Sequence, residues 1–315
     1  MDTSKLWAPT AITLLMSACA SLPVDDRELS SAIDINDEWQ AVAGDARDVQ
    51  NGWLSDLNLD DLTTFVNEVL RSNPNYNEVA LRMQASGFNA DAATGRLFPR
   101  INGSLSGSRT GVEQPVSNTS NSFSVGLDAS WELDVWGRLS ANAAAARSNF
   151  EVAQYDFYGA RLSLAAQVAQ GWFDVIEAKQ QFDLATDTVE NYARSTAIIR
   201  NRFERGLSSG LDLRLSITNL EASRATEKLR ETNHNQALRR LELFAGRYPA
   251  ATVKIAGEIP DDLDDVPIGV PLDILERRPD LQSAKARLFA AGYRAQSAEK
   301  ALLPSISITA RGNNT

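Results

Sequence analysis

The 315 residues carry a formal net charge of -10, with 43% hydrophobic and 23% charged residues, a folding composition long enough for two ordinary domains. The acidic balance argues against nucleic acid as a partner, because phosphate binding rests on an excess of lysine and arginine. No run of about 18 apolar residues occurs beyond the N-terminus, so the mature chain would cross a bilayer only as part of a closed barrel.

Lys5 precedes an apolar run from Leu6 to Met16, and Ser17, Ala18 and Cys19 follow, the layout of a secretory signal with a small-residue cleavage site. Leu14 to Cys19 resembles a bacterial lipobox, departing from it at Met16 and in Asp2 near Lys5. The resemblance implies that residues 1–18 are a signal peptide and that Cys19 becomes the acylated first residue, with a covalent lipid such as palmitate and no other cofactor. Ala20 after the cysteine implies sorting to the outer membrane. A plain signal peptide with an incidental cysteine is the alternative. As the single cysteine, Cys19 permits no intramolecular disulfide.

Residues 19–57 are polar and acidic without a sustained period, and read as an extended leader anchored by Trp39 and Trp53. Residues 58–98 turn helical. Leu62, Phe65, Val66, Val69 and Leu70 share a face, with Asp60 and Asp61 where a helix dipole favours negative charge. Asn73 and Pro74 stop that helix and start another, expected from about Asn75 to Leu97.

Residues 99–135 have period two. Ile101, Gly103, Leu105 and Gly107 alternate with polar neighbours in a first strand, and Thr110 to Asn121 reads as a long hairpin loop. In the second strand Phe123, Val125, Leu127, Ala129 and Trp131 alternate with Ser124, Asp128, Ser130 and Glu132. Its length fits a membrane-spanning strand, with Phe123, Val125, Leu127 and Trp131 toward lipid and Ser124, Asp128 and Glu132 toward a polar lumen. Glu132 and Asp134 read as a lumen lining that disfavours anions.

Residues 138–246 form a long helical hairpin. Ser140 to Arg205 lacks proline, so one helix would extend roughly 100 Å at 1.5 Å per residue. Tyr155, Tyr158, Leu162, Ala165, Ala169, Trp172 and Ile176 make a heptad seam, while Leu164, Val168 and Val175 lie off it and imply neighbours on two sides. The tip is Gly206, Leu207, Ser208, Ser209, Gly210, Leu211 and Asp212. Its glycines allow positive φ, a serine caps the next helix, and Asp212 sits in the first turn. Residues 247–271 are an irregular connector. Its cluster Asp261, Asp262, Asp264 and Asp265 lacks the spacing of a calcium loop and reads as a solvated acidic face.

Residues 272–315 begin a second copy. A shift of 205 positions pairs Pro74 with Pro279, Arg82 with Arg287, Ala90 with Ala295, Pro99 with Pro304 and Ile101 with Ile306. A third strand is expected from Ile306, and repeat logic leads us to expect a further strand and hairpin past Thr315.

Trp131 to Arg138 (WELDVWGR), Arg205 to Leu213 (RGLSSGLDL) and Pro267 to Leu281 (PIGVPLDILERRPDL) resemble motifs of the TolC-like outer-membrane efflux proteins, in their lipoprotein branch. The resemblance covers about Trp53 to Gly312. It implies a mixed α and β membrane protein: helical hairpins forming a periplasmic tunnel, and strands contributed to a shared barrel by a homotrimer. It also implies coupling to a periplasmic adaptor protein and an inner-membrane efflux pump, with the adaptor docking at the tip. The rival classes are an enzyme and a structural coiled-coil stalk or adhesin. His234 stands alone among histidines, Cys19 is consumed by processing, and the alternating strands favour a channel over a stalk.

Overall fold

The computed structural model describes residues 53–57, 59–112, 118–260 and 276–314. Its elements run α1 (Trp53–Asp56), α2 (Asp60–Ser72), α3 (Pro74–Gly95), β1 (Arg100–Val112), β2 (Asn118–Leu133), α4 (Arg138–Glu204), α5 (Gly210–Phe244), α6 (Pro279–Lys300) and β3 (Ile306–Asn314). Residues 82–156 with 276–314 form one compact unit, and residues 53–81 with 157–260 another. None of the described helices is long and apolar enough to cross a membrane.

The first unit holds an antiparallel sheet in the order β1-β2-β3. Its register keeps the period of two in phase across all three strands. Leu105 faces Val125, Gly103 faces Leu127, and Ile308 faces Trp131 on one side. On the other, Asn102 faces Asp128, which faces Arg311. A Cβ on Gly107 would lie 3.2 Å from the Phe123 ring, so the aromatic side chain covers the glycine. The expected loop from Thr110 to Asn121 is corrected: Thr110, Gly111 and Val112 pair with Ser120, Thr119 and Asn118. Apart from Val112 these six residues are glycine or polar, so no hydrophobic alternation marks the strand ends. Only residues 113–117 separate the two strands, and they lie outside the described residues.

Small side chains let the helices of this unit approach closely. Ala90, Ala93, Ala141, Ala143, Ala145, Ala286 and Ala290 are buried, as are Ser148 and Ser283. The Ser86 hydroxyl donates to the Asn149 carbonyl at 3.3 Å, joining α3 to α4. On the α6 side Arg294 donates to Asn149 Oδ1 at 2.7 Å, and Asp156 takes Ser283 at 2.7 Å and Arg287 at 3.0 Å. The repeat is visible in the elements. Both bounds of the 22-residue α3 recur 205 positions later in the 22-residue α6, and Ile306 lies 205 positions after Ile101. The paired copies flank the same elements: β1 and β3 lie on either side of β2.

In the second unit Leu62, Phe65, Val66 and Val69 of α2 are buried with Ala165, Val168, Ala169, Trp172, Val175 and Ile176 of α4 and with Leu238 and Leu241 of α5. The ring centroids of Phe65 and Trp172 lie 5.6 Å apart. Val168 and Val175, off the heptad seam, are among the most buried side chains, which fits contacts on two sides of α4. Tyr158 and Leu162, both on the seam, are exposed. Trp53 is exposed too and opens the one-turn helix α1, so 19–57 is not extended throughout; Leu54 and Leu57 pack on the core instead.

Asn73 divides α2 from α3. Its Oδ1 accepts the Tyr76 N–H at 2.9 Å as an N-cap, and its Nδ2 donates to the Phe244 carbonyl at 2.9 Å. The Ser72 hydroxyl donates to the Ala245 carbonyl at 2.9 Å, so the break in one helix receives the end of another. Gly246 has φ +67, and a Cβ there would lie 3.0 Å from the Ser72 carbonyl oxygen. Glycine meets both demands.

Candidate functional site

The polar face of the sheet carries Ser124, Asp128 and Glu132 on β2, as the alternation predicts. Serine hydroxyls pair across the strands, Ser106 with Ser124 at 2.6 Å and Ser108 with Ser122 at 2.8 Å. Asp128 forms an ion pair with Arg311 at 3.3 Å, and Glu132 one with Arg138 at 2.5 Å. An arginine therefore stands beside each of these two carboxylates, Arg311 at Asp128 and Arg138 at Glu132. The opposite face is apolar and open. Phe123 is 74% exposed and Leu105 80%, with Val125, Leu127, Ile101 and Ile308 also exposed and Trp131 in the same row. A continuous exposed apolar surface of this kind marks a membrane or partner contact.

Trp131, Asp134, Trp136 and Gly137 of the strand-to-helix junction each have an identifiable task. The Trp131 indole N–H donates to the Leu97 carbonyl, and that of Trp136 to the Pro304 carbonyl, both at 2.9 Å. Gly137 turns the chain at φ +73. Asp134 is not a lining residue: β2 ends at Leu133, and the Asp134 carboxylate accepts the N–H groups of Leu139 and Ser140 at 2.8 Å, capping α4. Burial would raise this carboxyl, but hydrogen bonds from the Ser140 hydroxyl and the two N–H groups hold it below its ordinary value.

At the hairpin tip Gly206 has φ +72, and the Leu207 N–H donates to the Arg202 carbonyl at 2.8 Å, closing α4. Ser209 and Asp212 form a reciprocal capping box. The Asp212 N–H donates to Ser209 Oγ at 3.1 Å, and the Ser209 N–H to Asp212 Oδ2 at 3.0 Å. Hydrogen bonds from the side chain and N–H of Ser209 and from Ser208 hold the Asp212 carboxyl low. Gly210 is the first residue of α5 without positive φ, contrary to expectation. Turn chemistry thus accounts for Gly206, Ser209 and Asp212. Leu207, 66% exposed, and Leu211, 68% exposed, have no such task.

One anchoring residue had no signal in the sequence pattern. Glu242, only 2% exposed, accepts the N–H groups of Ala251 at 2.7 Å, Thr252 at 2.6 Å and Val253 at 2.9 Å, and the Thr252 hydroxyl at 3.2 Å. Ala251 holds φ +58, unusual for a residue with a side chain, at the start of these three successive donors. The connector is pinned to α5 at this point. The four aspartates at 261–265 lie outside the described residues, as do Cys19 and most of the Pro267 to Leu281 motif. Among the described residues no group of three or more His, Cys, Asp or Glu side chains could hold a metal ion.

Residues 65–247, more than half of the chain, match the family described as outer membrane efflux protein. The chain belongs to this family. It is 30% identical over 312 residues to the cation efflux system protein CusC of Escherichia coli O6:H1, covering 96% of this chain and 66% of that protein. To the pyoverdine export outer membrane protein OpmQ of Pseudomonas aeruginosa it is 26% identical over 312 residues, covering 94% and 65%. The crystal structure of the Campylobacter jejuni CmeC outer membrane channel shares its fold, with a TM-score of 0.76 at 21% identity over 90% of this chain and 67% of that one. The chain spans about two thirds of the length of the curated relatives it matches. The part matching the outer membrane efflux protein family runs from within α2 to just past α5, so it contains β1, β2, the capped junction and the hairpin tip.

Proposed function

We propose that the protein is the outer-membrane channel subunit of a tripartite efflux system. It acts as a passive conduit for small molecules delivered by an inner-membrane pump through a periplasmic adaptor, and it assembles as a homotrimer. One observation carries this reading: a sheet with one apolar and one polar face continues, through a capped junction, into a 67-residue helix. Phe123, Val125, Leu127 and Trp131 face lipid, and Ser124, Asp128 and Glu132 face the lumen. Three strands fall short of the roughly eight that close a barrel. The outer edges of β1 and β3 have no partner among the described residues, which supports pairing between subunits. The relatives' names, a cation efflux system protein and a pyoverdine export protein, support export as the task and leave the compound open. Full-length protein reconstituted in planar bilayers should show discrete ion conductance. Trimers that insert without conducting would refute the conduit.

The tip is the adaptor-docking surface in this account. It lies at the other end of α4 from β2, and of its residues Leu207 and Leu211 present apolar surface that the turn does not use. A photocrosslinker placed at either leucine of the full-length protein in intact cells should capture a periplasmic adaptor. No capture from both positions, while trimers reach the outer membrane, would leave the tip as a turn only. Cys19 carries the lipid anchor, supported by the Leu14 to Cys19 run. Mass spectrometry of the mature N-terminus should find acyl mass on Cys19, and a free thiol there would exclude it.

A further inference from the structure

The helix-proximal end of the polar sheet face borders a cavity of about 500 Å³ that none of the preceding assignments uses. Arg96, Arg100 and Arg138 line it, with hydroxyls from Ser130, Ser307 and Thr309. Phe98 and Leu139 supply apolar wall. Glu132 is its single lining carboxylate among the described residues, and it is committed to Arg138 at 2.5 Å. Arg96 and Arg100 have no ion-pair partner among the described residues. Asp128, the next carboxylate along β2, is held by Arg311. Two guanidinium groups therefore remain uncompensated beside hydroxyl donors and an apolar wall.

We infer that this cavity is a binding site for small soluble oxyanions, with Arg96 and Arg100 grasping a carboxylate or phosphate group. A planar guanidinium offers paired N–H donors that match the spacing of carboxylate or phosphate oxygens. The hydroxyls of Ser130, Ser307 and Thr309 take the remaining lone pairs. A wall of low polarity strengthens the attraction by excluding part of the surrounding water. The site rests on the geometry of the sheet and junction. Under the proposed channel reading it lies on the lumen wall, where it would favour passage of anionic over cationic solutes.

Titration of full-length protein in detergent with inorganic phosphate and with citrate, at low ionic strength and followed by calorimetry, tests the site. Saturable binding is expected. The double variant Arg96→Gln/Arg100→Gln should weaken it at least tenfold, Arg100→Lys by less, and Arg109→Gln, on the opposite face of β1, should leave it unchanged. Circular dichroism and trimer content establish that the variants fold. No saturable binding by the wild type, or equal binding by the folded double variant, overturns the inference. In planar bilayers with a KCl gradient, the double variant should shift the reversal potential toward cation preference. Wild-type protein that binds phosphate but does not conduct keeps the anion site and removes the channel reading.

Discussion

Leu127→Arg in the full-length protein is expected to cost about 2–4 kcal/mol of folding stability in a bilayer, the cost of a cation on the lipid face near the midplane of a membrane barrel. Leu127 stands in the apolar row of β2, opposite Gly103 of β1 and Gly312 of β3, and is exposed. Two glycine neighbours leave a new guanidinium no side chain on either adjacent strand to pair with. It would have to snorkel or draw water into the bilayer. The neighbouring change Asp128→Asn reverses face and consequence. It leaves Arg311 without its 3.3 Å partner, adds one uncompensated positive charge to the polar face, and should move ion preference toward anions with little effect on folding. Urea titration of folding into lipid vesicles reads the first variant, and reversal potentials read the second. Equal stability of the two variants would refute a membrane strand.

Glu242→Ala is expected to destabilise the helical unit by about 2–4 kcal/mol, because a truncated acceptor leaves buried N–H donors unpaired at about 1–3 kcal/mol each, less what water restores. Three successive N–H groups, of Ala251, Thr252 and Val253, converge on this carboxylate. Glu242→Gln should not rescue it fully, since half of its terminal group donates rather than accepts. The pH dependence has a definite sign. Burial pushes the Glu242 carboxyl up, but the N–H groups of Thr252, Ala251 and Val253 and the Thr252 hydroxyl outweigh it and hold the group below its ordinary 4.5. A depressed value means that the stabilisation is complete above about 4.5 and is lost as the pH falls through the lower folded value. Thermal melts of wild type and variant should therefore converge on acidification from neutral pH. A constant gap across that range would show that Glu242 acts through packing alone.

Much of the architecture was legible because it is periodic. The alternation from Phe123 to Leu133 marks a strand whose two faces meet different media, and a proline-free run after Gly137 permits a helix of 67 residues. The duplication was legible because a constant offset needs no structural knowledge, and α3 and α6 reproduce it at both ends. Pairings that join distant residues carry no period. Asp134 continues the polar alternation of β2 in sequence, whereas its carboxylate turns to the first N–H groups of α4. Glu242 carries no signal in the sequence, since its partners belong to an irregular segment with no pattern of its own. Tyr158 and Leu162 follow the seam in sequence yet remain exposed, because periodicity names a face and not what covers it. At the tip the sequence features marked the turn, and hydrogen bonds were needed to separate Ser209 and Asp212, which build it, from Leu207 and Leu211, which do not.

If β2 spans a membrane, one of its faces meets lipid and the other water. Spin labels placed singly at positions 123 to 132 of the full-length protein in lipid bilayers, with collision rates measured against apolar oxygen and a water-soluble nickel chelate, test it most directly. A membrane strand gives a period of two: oxygen access highest at 123, 125, 127, 129 and 131, and nickel access highest at 124, 126, 128, 130 and 132. Uniform access to the water-soluble reagent at all ten positions would contradict it.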